Sequence, residues 1–85
     1  MPRVKVYTTP YCPFCVMAKR LLDQRGVPYE EIMIDGYSEE QREALFKRSG
    51  MMTVPQIFLD DKDVIGGFDE LAELDRKQGG LDSLK

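Results

Sequence analysis

In "RVKVYT", residues 3–8, Val4 and Val6 fall on one face of an alternating pattern, which predicts a half-buried strand. The period then changes. Phe14, Met17, Ala18, Leu21 and Leu22 recur every three to four residues, so residues 13–25 are expected to form a helix with one apolar stripe. Pro13 suits the first turn, where its missing N–H has no partner to lose, and Gly26 with Pro28 marks the stop. "YEEIMI", residues 29–34, predicts a second strand of less regular pattern. Ser38 followed by Gln41 is a capping-box signature that opens a helix through Ala44, Leu45 and Phe46, ended by Gly50. "PQIFLD" and "DVIGG" are expected to be strands joined in a hairpin by the acidic turn "DDKD". Asp69 is placed to cap a last helix, "ELAELDRK", which stops at Gly79-Gly80.

The order is β-α-β-α-β-β-α, an α/β class. A β-α-β start implies a parallel pair, and the closing hairpin adds an antiparallel one. The expectation is a four-stranded mixed sheet flanked by helices. Eighty-five residues limit this to a single domain, 1–85, because a second core would have too few residues to bury. Hydrophobic residues at 42% and charged residues at 32% suit one modest core under a well-solvated surface, not a disordered chain. The formal charge of −3, without a Lys/Arg cluster, argues against nucleic acid as a partner. No apolar run reaches the length of a signal peptide or a membrane span, so a cytoplasmic protein without a membrane partner is expected.

The two cysteines, Cys12 and Cys15, carry the candidate chemistry. Cys12 precedes the helix that Pro13 opens. There, unpartnered backbone N–H groups and the positive end of the helix dipole favour a thiolate. Cys15 falls inside the first turn, three residues on, on the same face and close enough for the sulfurs to meet. The pair is therefore expected to be unequal. Cys12 is the exposed nucleophile and Cys15 resolves the mixed disulfide, as thiol–disulfide exchange requires. Other uses fit less well. A permanent disulfide closing two intervening residues would remove little unfolded-state entropy. Structural zinc wants four ligands, whereas the chain has two Cys and no His. A Cys–His hydrolase is excluded by the missing histidine. An inert buried pair remains the plain alternative, disfavoured by the helix start at Pro13.

"CPFC" after the first strand, "TVPQIF" before the third, and "IGGFDEL" opening the last helix occur in that order, with "IDG", "KRSG" and "GGLDSLK" between and after them. Together these motifs resemble the glutaredoxins, in particular the small bacterial dithiol type. The resemblance implies a thioredoxin-like fold and a glutathione-disulfide oxidoreductase. It implies that Pro55 is cis beside the reactive cysteine, and that Thr53, Val54 and Pro55 hold the cysteinyl part of glutathione, with the Val54 backbone pairing as a one-residue strand. It places the γ-glutamyl carboxylate at the backbone N–H groups of Gly67, Phe68 and Asp69. The Asp69 side chain would face the amine and serve equally as a cap. Tyr11 and Phe14 would wall the thiols, Phe14 standing where tyrosine is commonest, while Tyr7 is expected to be packing.

Two positions depart from the family pattern. Thr9 and Met51 stand where basic residues are frequent, both expected near the glycyl carboxylate of glutathione, which leaves Arg42 as the candidate partner. Losing two exposed charge contacts costs roughly 1–2 kcal/mol, about 5–30-fold in affinity. The expected enzyme is a monomer that reduces disulfide-containing or glutathionylated proteins. Glutathione is its co-substrate, and it has no metal and no tightly bound cofactor. Two rivals differ: a hydrogen donor recycled by thioredoxin reductase, and an iron–sulfur carrier sharing a cluster between two chains through Cys12 and two glutathiones. Pro13 and Cys15 fit the dithiol reductase better than the carrier, because Pro13 stiffens the loop beside the cluster ligand.

Overall fold

Strand β1 (Val4–Thr8) lies in the interior of the sheet, and its alternation sorts the core into two faces. The structure is a computed structural model and describes residues 2–85. Val4 and Val6 turn to one face and pack with Ala18 and Leu22 of α1 (Pro13–Gln24) and Leu71 of α3 (Phe68–Arg76). Tyr7 turns to the other face, where it meets Leu45 of α2 (Glu39–Ser49) and stacks edge-on against Phe58, with ring centroids 5.3 Å apart. Burial of Tyr7 agrees with its expected packing role.

The sheet order is β2-β1-β3-β4, where β2 is Tyr29–Met33, β3 is Gln56–Leu59 and β4 is Asp63–Gly66. β1 pairs parallel with β2 and antiparallel with β3, and β3 pairs antiparallel with β4. The expected mixed four-stranded sheet is therefore present. β2 is an edge strand, which accounts for the irregular pattern of "YEEIMI": only part of it faces a core. Asp60 and Asp61 make the hairpin turn at φ 56° and 60°, and Arg3 and Lys5 pair with them at 2.8 Å each.

The α2 cap formed as its sequence signature predicts. The Ser38 hydroxyl accepts from the Gln41 N–H at 3.2 Å, the Gln41 side chain accepts from the Ser38 N–H at 2.9 Å, and Gly50 closes the helix at φ 71°. The start of α3 differs from expectation. Its N-cap is Gly67, not Asp69, which sits inside the first turn. Glu70 supplies the missing cap from within the helix, its Oε1 accepting from the Gly67 N–H at 2.7 Å. The chain also continues past Gly79-Gly80 into a 3-10 turn, Gly80–Leu84, whose buried Leu81 and Leu84 close the core under α1 and α3.

Gly66 is needed where it stands. Its φ is 128°, and a Cβ there would lie 2.6 Å from Glu70 Cγ. Ala at this position combines a disfavoured backbone with a clash against the cap. Gly66→Ala is expected to destabilise the fold by about 2–3 kcal/mol, read as a lower midpoint in urea at unchanged slope.

Candidate active site

Cys12 is the N-cap of α1. Pro13 follows at the first helical position, and its fixed φ starts the helix there. The Cys12 sulfur accepts from the Cys15 N–H at 3.2 Å, while the Cys12 carbonyl accepts from the Val16 N–H at 3.1 Å. A sulfur in the place of the usual capping oxygen thus meets one of the unpartnered helix donors. From the other side, the Cys12 Sγ–H donates to the Val54 carbonyl at 3.7 Å. The Val54–Pro55 peptide is cis, as the resemblance implies.

Both cysteines are free thiols, but their surroundings differ. Cys12 is partly exposed, whereas Cys15 is 1% exposed. Burial, reinforced by its hydrogen bond with Cys12, pushes the Cys15 thiol up to about 12, while the Thr9 backbone amide and the Lys19 ammonium pull the other way. Cys15 is therefore a protonated reserve at neutral pH, and Cys12 is the sulfur that solvent and substrate reach first.

Two grooves flank the loop that carries Val54. The first, about 360 Å³, runs between α1 and α3. Phe14 and Phe68 wall it, their ring centroids 6.4 Å apart, and Thr53, Val54, Pro55, Gly67 and Asp69 line the rest. The fold thus brings together most of the residues singled out in the sequence. Met51 and Glu70 complete this groove. Glu70 carried no distinctive signal, because its cap contact exists only once Gly66 turns the chain.

The second groove, about 400 Å³, lies on the α2 side and is lined by Arg42, Thr9, Thr53 and Val54 with apolar Ile34, Phe46 and Met52. Thr9 and Met51, expected near one carboxylate, separate: Thr9 lines the groove of Arg42, and Met51 the groove of Gly67. Tyr11 lines neither of these grooves. It is fully exposed, at φ 62°.

The Cys12 thiol thus caps a helix beside a cis-proline loop whose Val54 lines both grooves. The glutaredoxin family model covers residues 4–64. The chain belongs to the glutaredoxin family. It is 50% identical over 84 residues to glutaredoxin 3 of Escherichia coli K12, a match covering 99% of this chain and 98% of that protein. It is 46% identical to the glutaredoxin of Pseudomonas aeruginosa, over 99% of this chain and 96% of the relative. Among solved structures, a buckwheat glutaredoxin–glutathione complex superposes with a TM-score of 0.83 at 34% identity, covering 98% of this chain and 76% of that one. The solution structure of a Brucella melitensis glutaredoxin gives 0.78 at 42% identity, covering 99% and 88%. The thioredoxin-like fold expected of a glutaredoxin is therefore present. Glutaredoxins are glutathione-dependent thiol–disulfide oxidoreductases, and the closeness of Cys12 and Cys15 here is consistent with a dithiol.

Proposed function

We propose that this glutaredoxin, acting as a single-domain cytoplasmic monomer, reduces protein–glutathione mixed disulfides and protein disulfides with glutathione as co-substrate. The carrying observation is the position of Cys12: a partly exposed sulfur held at a helix N-terminus, 3.7 Å from the carbonyl of Val54, a residue that lines both grooves. The Cys12 thiolate attacks the glutathione sulfur of a mixed disulfide. The protein thiolate leaves and takes a proton from water, and Cys12 is glutathionylated. A second glutathione thiolate attacks the bound glutathione sulfur, releasing glutathione disulfide and the Cys12 thiolate. With a protein disulfide, Cys15 displaces the substrate from Cys12, and two glutathiones then reduce the Cys12–Cys15 disulfide.

The grooves supply the binding. Glutathione's cysteinyl segment lies along Val54, its γ-glutamyl carboxylate at the N-terminus of α3, and its amine near Asp69. With the Gly67 N–H engaged by Glu70, the Phe68 and Asp69 N–H groups are the donors in this proposal. The glycyl end points into the second groove, where Arg42 meets the carboxylate. Likeness to the glutathione complex of the buckwheat protein supports this arrangement.

Turnover of a glutathionylated peptide by the full chain tests the reading. With glutathione and glutathione reductase, turnover is expected; with thioredoxin reductase as sole reductant, only background. Equal turnover with thioredoxin reductase would sink it in favour of the hydrogen-donor alternative. In the same assay Arg42→Ala is expected to raise KM for glutathione roughly fivefold at unchanged kcat.

A further inference from the structure

Behind the two thiols, three polar side chains from three elements meet at one atom. Glu31 Oε2 accepts from Lys19 Nζ and from Thr8 Oγ1, each at 2.8 Å. Thr8 ends β1 and is fully buried. Glu31 stands on edge strand β2 opposite Val6, on the face that α1 covers. Lys19 lies four residues beyond Cys15 on α1, so it occupies the same helix face one turn along. The simplest view is a structural clip joining the helix to the sheet edge. The position of Cys15 gives the cluster more to do.

We propose that Lys19, held by Glu31 and Thr8, is a positioning residue for the resolving half of the dithiol reaction: its ammonium stabilises the Cys15 thiolate as that sulfur attacks the Cys12 mixed disulfide. This rests on the dithiol reading above. In the step, Cys15 gives its proton to water, and its sulfur bonds to Cys12 Sγ. The bond from Cys12 to the substrate sulfur breaks, and the substrate leaves as a thiolate. Electrons balance within the exchange, and no other reductant enters.

Besides burial, three groups among the described residues act on Cys15. Cys12 faces it from the preceding loop, the Thr9 amide from the end of β1, and Lys19 from its own helix. Glu31 and Tyr29 of β2 act on Lys19. Burial and Cys12 oppose ionisation of Cys15; Lys19 favours it. Once Cys12 is tied up in a mixed disulfide, its charge and its thiol hydrogen are gone. Burial is then the main opposition, and Lys19 is the cation acting against it. Glu31 fixes where that cation sits, through a 2.8 Å hydrogen bond that also raises the Lys19 ammonium and lowers the Glu31 carboxyl.

The test separates the two halves of the cycle. Stopped-flow release of the second thiol from a protein disulfide, the one freed when Cys15 attacks Cys12, measures resolution, and deglutathionylation measures the route that needs Cys12 alone. Lys19→Met is expected to move the pH midpoint of resolution up and to slow resolution at neutral pH by roughly threefold, the loss of thiolate outweighing the greater nucleophilicity of a more basic thiol. Deglutathionylation should keep its kcat/KM, and Lys19→Arg should restore both the rate and the pH midpoint of resolution. An unmoved pH midpoint in Lys19→Met, or equal slowing of both reactions, overturns the proposal. Cys15→Ser runs in parallel. If it reduces protein disulfides at the parent rate, the dithiol reading itself is wrong; if that rate collapses, the Lys19 variants judge this inference alone.

Discussion

Replacing Cys12 with serine removes at least about a thousandfold of the activity toward both protein disulfides and glutathionylated peptides. A hydroxyl at the α1 N-cap still accepts the Cys15 N–H, and serine is a favoured cap, so the fold should be kept. What disappears is the nucleophile. A thiol ionises within reach of neutral pH, and its thiolate attacks a disulfide sulfur; a serine hydroxyl does neither. Cys15 cannot substitute, because it is 1% exposed and held protonated. The measurements are initial rates in the two assays, with a urea midpoint within about 0.5 kcal/mol of the parent to show that the fold survived. Normal rates in both assays would remove Cys12 from the mechanism.

Cys15→Ser divides the two reactions. Reduction of protein disulfides should fall roughly a hundredfold, while deglutathionylation continues through Cys12 and free glutathione. The reason is effective concentration. Cys15 lies beside Cys12 and attacks intramolecularly, an advantage that millimolar glutathione does not match even against a thiol so reluctant to ionise. The same substitution has a signature in stability. The Cys15 thiol is raised in the folded state, so its contribution is complete below the ordinary thiol range near 8.5 and is lost as pH climbs toward 12. Over that interval unfolding releases a proton, and stability falls as pH rises. The serine chain lacks this loss. Its urea midpoint should therefore decline less steeply between about pH 9 and 11, and parallel declines would contradict the burial of Cys15 as the cause.

The helix ends read correctly from local pattern share a property: their partners lie within four positions. Ser38 and Gln41 close a cap by reaching each other, and Gly50 ends α2 by adopting φ 71°. Asp69 shows the limit of that logic. Intrinsic preference favours Asp over Gly as a cap, yet Gly66 turns the chain at φ 128° and Glu70 reaches back to Gly67, so the helix starts earlier. The C-terminal turn was hidden for another reason. Leu81 and Leu84 show only one three-residue repeat, too short to register as a period, and their burial depends on the gap between α1 and α3. Most of the expected site residues gather around one groove because their three motifs sit at the ends of elements on one side of the sheet.

By itself the sequence determined that the two cysteines are unequal, that the chain begins β-α-β, and that its motifs resemble one family. These follow from hydrogen bonds and periodicities spanning a few residues. The resemblance implied Pro55 beside Cys12, but only the tertiary structure showed the contacts around the thiols. Val54 meets Cys12 across 42 positions of chain, and Glu31 meets Lys19 across 12 and Thr8 across 23. It also put Thr9 and Met51 in different grooves. Local pattern sets which face a residue turns to. Which remote face it then meets depends on strand order and on how the helices cover the sheet, and the environment of a buried thiol is made of those meetings.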